Sequence, residues 1–136
     1  MADIRHKLVI KTNPQKVYGA ITTQQGLESW WCKQATAKPK VGFVNVFVFG
    51  QVRIELKILE LVPNKTVKWE CVNQLDEWTG TRIDFDLEEK DGNTVLRFNH
   101  EGWKAVTDTF AMCNYDWARF LASLKSLCET GTGTPA

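Results

Sequence analysis

The chain has 136 residues, of which 43% are hydrophobic and 24% charged, with 17 Lys and Arg against 16 Asp and Glu. That length suits one compact domain, able to bury about two thirds of its unfolded surface. A formal net charge of +1 leaves no electrostatic footprint for nucleic acid or an anionic membrane, and those partners are excluded.

The longest apolar stretch, around Val41 to Phe49, falls far short of the roughly 20 residues that a membrane-spanning helix needs. Met1 to Lys7 is charged and lacks the apolar run of a signal peptide. Cys32, Cys71, Cys113 and Cys128 form no C-x-x-C pair, which points to reduced thiols and a cytoplasmic protein. Six Trp and seven Phe stand against two His, so apolar groups abound and catalytic groups are scarce.

In chain order, Ile4 to Lys11 alternates in the manner of a strand and stops at Asn13-Pro14, a capping residue followed by proline at the first helical position. A short helix through Val17, Tyr18 and Ile21 follows, then a second, capped by Thr22-Thr23 and ending near Trp30-Trp31. Beyond Pro39 the alternation predicts strands at Phe43–Phe49, Val52–Leu61, Thr66–Val72, Trp78–Glu88 and Thr94–His100. Gly50-Gln51, Val62-Pro63-Asn64-Lys65 and Asp91-Gly92-Asn93 supply the turns. A long helix is predicted from about Ala105 to Glu129, with Phe110, Cys113, Trp117, Leu121, Leu124 and Cys128 forming one apolar stripe. Gly131 stops it. Residues 1–130 read as one domain and 131–136 as a flexible tail.

This order implies an α+β fold in which a curved antiparallel sheet wraps a long C-terminal helix, with two short helices after the first strand. A strongly curled sheet leaves room for a cavity beneath it.

Several residue clusters carry a family resemblance. They are Asn13-Pro14 with Val17-Tyr18, Thr22-Thr23, Gly26-Leu27 and Trp30-Trp31, then Trp78-x-Gly80-Thr81. Gly92-x-Thr94-x-Leu96-x-Phe98-x-His100-x-Gly102-Trp103 follows, and Trp117 with Leu121, Leu124 and Lys125 closes the set. Together they resemble the family built on the C-terminal domain of the activator of heat-shock-protein-90 ATPase, in the START-like, helix-grip (SRPBCC) superfamily. The resemblance implies a helix-grip fold with a hydrophobic tunnel, a single-domain protein of bacterial type, and a cavity that in relatives binds lipids, sterols or polyketides. It carries over no catalytic motif and no cofactor.

His100 follows Thr94, Leu96 and Phe98 at period two and faces the interior, either as a ligand contact or as a satisfied core histidine. Trp69, Phe85, Phe98, Phe110, Cys113 and Trp117 are expected to line the chamber, with Thr79, Thr81 and Asn114 adding polar groups. Whether that chamber is open or filled by these aromatics stays undecided at this level. Trp30 and Trp31 are adjacent on a short helix and cannot both face the core, so one is expected to be partly exposed; the resemblance implies that this segment sits near the cavity mouth, to gate it, meet a partner or cover the sheet edge.

His6 and His100-Glu101 lack the spacing of a zinc site, and no metal is expected. Ser29, Ser123 and Ser126 sit in no nucleophile elbow. Asp84, Asp86 and Glu88, like Glu70, face away from the apolar side. The leading functional reading is a binder of a hydrophobic small molecule. A cyclase or dehydratase with His100 as acid or base is the second reading, and a chaperone or stress partner engaged through Trp30 or Trp31 is the third.

Overall fold

The computed structural model describes residues 2–136. Alternating segments form strands β1 (Ala2–Ile10), β2 (Gln34–Thr36), β3 (Val44–Phe49), β4 (Val52–Val62), β5 (Thr66–Cys71), β6 (Arg82–Lys90) and β7 (Asn93–Trp103). The helices are α1 (Pro14–Thr22), α2 (Gln24–Trp30) and α3 (Asp108–Thr130).

The strands make one antiparallel sheet in the order β1-β7-β6-β5-β4-β3-β2. The first strand thus lies beside the last, with Ile4 opposite His100 and Leu8 opposite Leu96. A bulge between Ile58 and Glu60 bends β4. Period two puts Val67, Trp69, Ile83, Phe85, Leu96, Phe98 and His100 on one face. The stripe of α3, with Trp117, Leu121, Leu124 and Cys128 buried, covers that face.

Local chemistry sets the helix ends. Asn13 Oδ1 accepts from Lys16 N at 2.9 Å ahead of Pro14. Thr23 Oγ1 accepts from Gly26 N at 3.0 Å and starts α2. Thr107, not Ala105, caps α3, accepting from Phe110 N at 3.2 Å with Asp108 in the favourable first turn. Gly131 ends it in the left-handed conformation, φ 89°.

Two expectations are corrected here. The three-residue β2 was not foreseen, and its pairing of Ala35 with Phe47 extends the sheet. The strand expected from Trp78 begins at Arg82, because 76–78 form a 3-10 turn and Gly80 takes φ 79°.

The segment 131–136 also departs from the expected flexible tail. Ser123, buried on α3, donates to the Trp30 carbonyl at 2.8 Å and accepts from Thr134 N at 2.7 Å. Ala136 N donates to the Trp31 carbonyl at 2.9 Å. A buried serine hydroxyl thus anchors the chain end along α2.

The open edge of β1 is capped from the side at its Ile10 end. Lys125 Nζ donates to the Val9 carbonyl at 2.6 Å, and its ion-pair partner Glu129 accepts from Lys11 N at 2.7 Å. Those contacts occupy backbone groups that would otherwise recruit another strand. Among the described residues, no helix is long and apolar enough to cross a membrane.

Candidate functional site

Between sheet and α3 the interior is largely filled by rings. Trp69 packs edge-on to Phe85 at 5.1 Å, Phe85 to Phe98 at 5.2 Å, and Phe98 meets Trp117 at 4.5 Å. His100 is fully buried beside them, 4.5 Å from the Trp78 ring and 4.8 Å from Trp103.

Hydrogen bonding fixes its state. Indole nitrogen only donates, so Trp117 Nε1–H, 3.1 Å away, makes Nδ1 of His100 an acceptor and places the proton on Nε2. Nε2–H then donates to Thr81 Oγ1 at 2.8 Å, and Thr81 donates onward to the Trp78 carbonyl at 2.6 Å. Every polar atom of the imidazole is used within the fold.

Burial pushes the His100 pKa down from 6.5 to about 3. The unfolded chain takes up a proton in that window and the folded chain does not. Stability from this group is therefore complete above 6.5 and is lost as pH falls toward 3, by up to about 1.4 kcal/mol per pH unit.

Asp84, opposite Asn99 on the outer face, is shifted the other way, from 3.8 to about 6, by burial and then by the neighbouring Glu101 carboxylate. Its folded-state proton favours the native chain at low pH, and that contribution disappears as pH rises through 6. The two slopes oppose each other. In Asp84→Asn the unfolding free energy should fall more steeply from pH 6 to pH 4 than in the parent chain, as read by urea titrations at pH 4, 5 and 6. Equal slopes would remove Asp84 from this balance.

One opening interrupts the packed interior. A cavity of about 230 Å³ lies where the β3–β4 end of the sheet meets α3, lined by Trp31, Phe49, Val52, Ile54, Trp78, Cys113, Asp116, Trp117 and Phe120. Trp31 lies 5.1 Å from Trp117, and Trp78 stacks on Trp117 at 6.2 Å with planes 26° apart. The Phe49 and Phe120 rings lie 6.2 Å apart, tilted by 43°. The volume is below the roughly 300–1,000 Å³ of drug-sized sites.

Polar chemistry around the cavity is sparse. Cys113 accepts a hydrogen bond from Trp78 Nε1 at 3.4 Å, and burial pushes its thiol pKa up, which makes it a poor nucleophile. Asp116 pairs with Arg119 at 2.9 Å. Among the described residues, no group of three His, Cys, Asp or Glu could hold a metal ion.

Of the residues expected to line a chamber, Trp117 and Cys113 lie on this cavity, and Trp69, Phe85 and Phe98 form the solid interior beside it. Phe110 packs instead on Trp103 at 5.3 Å. Thr81 is buried and bonded to His100, away from the opening.

Two expectations fail. Thr79 is exposed in the turn, where its hydroxyl accepts from Leu75 N at 2.8 Å, because the strand has not yet begun. Asn114 points outward, one residue off the apolar stripe of α3. Trp30 and Trp31 are both buried, so neither is exposed to a partner, and Trp31 lines the cavity. The helix ends between them: Trp31 leaves it at φ −114°, ψ −67°, so Trp30 turns to Phe85 while Trp31 stacks toward Trp69.

Phe49, Val52, Ile54, Trp78, Asp116 and Phe120 were missed. Phe120 had a signal, standing three residues beyond Trp117 on the same helical face. The others depend on where the sheet curls away from the helix.

Comparison with known proteins follows this geometry. The profile of the family "Activator of Hsp90 ATPase homolog 1-like protein" matches residues 11–129. The solution structure of the Aha1 dimer from Colwellia psychrerythraea is 41% identical, covers 98% of this chain and 100% of its own, and superposes with a TM-score of 0.91. MLL2253 from Mesorhizobium loti, 21% identical over 93% of this chain and 96% of its own, shares the fold with a TM-score of 0.82. SSP2350 from Staphylococcus saprophyticus does so at 16% identity over 99% and 98%, with a TM-score of 0.80. A search of curated proteins finds no match. With the profile spanning most of its length and a full-length relative this similar, the chain belongs to the Activator of Hsp90 ATPase homolog 1-like family.

Proposed function

We propose that the protein binds a small hydrophobic molecule in the cavity between Trp31, Trp78, Trp117, Phe49 and Phe120. The observation that carries this is an apolar opening of about 230 Å³ persisting in an interior otherwise filled by rings. Aromatic walls with one thiol and one rim carboxylate suit a flat ring or the end of an acyl chain. A whole sterol exceeds the space. The absence of disulfide bonding at the four cysteines supports a cytoplasmic setting.

Three tryptophans on the wall make binding directly readable by intrinsic fluorescence. Indole, naphthalene and medium-chain fatty acids are suitable probes. A true ligand should quench emission and raise the melting temperature, reaching about 2.7 kcal/mol of stabilisation at 100 times its dissociation constant. Cys113→Phe, which fills the opening, should abolish both responses while keeping the fold. If a broad lipid and aromatic library moves neither signal, the reading is lost.

The 41%-identical Colwellia protein is a dimer, and we take the same assembly for this chain. The enzymatic alternative is weaker, because both His100 nitrogens are engaged and the ring lies off the cavity lining. The chaperone-contact alternative loses its surface, because Trp30 and Trp31 are buried.

A further inference from the structure

Resting on that dimeric reading, we propose that the cavity mouth is the dimer face, each copy closing the other's opening. The occupant is a second copy of this chain, related by a two-fold axis.

The exposed apolar groups point there. Met112 and Tyr115 are each 66% exposed and Val52, on the cavity wall, is 45% exposed. Singly such residues mean little, but these adjoin. Met112 and Tyr115 are three residues apart on α3, and Met112 lies one turn before Asp116 on the rim. The Arg119 guanidinium sits 5.5 Å from both the Tyr115 and Phe120 ring centres, so the exposed stripe and the cavity wall form one surface.

Charge selects a second copy as the partner. A two-fold contact is self-complementary, setting residue i against j and j against i. Asp116 and Arg119, 43% and 55% exposed at their side chains, give this surface one charge of each sign. Exchange of partners lets each Asp116 face the other copy's Arg119. The sheet edges offer less: Lys125 and Glu129 occupy the Ile10 end of the β1 edge, and β2 offers three residues.

Sedimentation velocity of the full chain across a dilution series tests this. The parent chain should dimerise, and Asp116→Arg and Arg119→Asp should each weaken the dimer at least tenfold by opposing like charges. An equimolar mixture of the two variants should recover the parent affinity as a heterodimer, which a folding defect would not do. Far-ultraviolet circular dichroism spectra of each variant should match the parent, and its melting temperature should match that of the parent diluted to its monomeric range. A parent chain that stays monomeric throughout sinks both the dimeric reading and this face. A dimeric parent whose single variants dissociate like it, or whose mixture gains nothing, overturns the face alone.

Discussion

Replacing His100 by alanine should lower the unfolding free energy by about 3–5 kcal/mol, a large share of the roughly 5–15 kcal/mol that holds a domain of this kind together. Two effects combine. The Trp117 Nε1–H loses its only acceptor and Thr81 loses its donor, with a buried unpaired group costing about 1–3 kcal/mol. The imidazole also leaves a void between Trp78 and Trp103, whose rings lie 4.5 and 4.8 Å from it. His100→Gln keeps an acceptor and a donor at one side-chain end and should lose less than half as much. Urea titration at pH 7.5, where the imidazole is neutral in both states, measures each variant. A loss below about 1 kcal/mol for alanine would mean that the chain from Trp117 to Thr81 contributes little.

Gly26→Ala should destabilise by about 2–4 kcal/mol, although alanine in a helix is favoured over glycine by about 1 kcal/mol. The added Cβ would lie 2.6 Å from Ala20 Cα and 2.7 Å from its carbonyl oxygen. Those are backbone atoms, so no rotamer change relieves the clash and α2 must lift from α1. Lifting also strains the bond from Trp30 Nε1 to the same Ala20 carbonyl, 2.8 Å long, and loosens a fully buried indole. Gly19 provides the opposite case on α1. Nothing lies within 4 Å of its Cβ position, and Gly19→Ala should raise stability by about 0.5–1 kcal/mol. Thermal melts of the two variants should therefore move in opposite directions. A neutral or stabilising Gly26→Ala would show that the helices do not approach this closely.

Six of the seven strands, the caps of the first two helices and the placement of His100 were legible because each depends on neighbours in the chain. Ile83, Phe85 and Leu87 alternate, Asn13 precedes Pro14, and Asp91-Gly92 turns. What escaped depends on contacts between distant segments. Thr79 seemed to continue the alternation of Ile83 and Phe85, but Gly80 at φ 79° breaks the pattern just before the strand. Asn114 stands beside Cys113 in sequence and a hundred degrees away around the helix. Ser123 gave no hint from its flanks that its hydroxyl would hold the chain end. Likewise the opening at Phe49, Val52 and Phe120 arises where curvature parts the sheet from α3, and alternation alone carries no measure of curvature.

The pairing of β1 with β7 has a consequence for synthesis. β3 through β7 pair in sequence order, with short turns everywhere but at the 72–81 link between β5 and β6, and each can pair with its predecessor as it leaves the ribosome. The first strand has to wait: Ile4 meets His100, and the Lys125 and Glu129 contacts that cap the end of its free edge come later still. For most of translation an alternating apolar strand therefore stands unpaired, with the sheet's inner face uncovered until α3 emerges. Nascent chains stalled before Trp117 should accordingly be the species most prone to pair with one another.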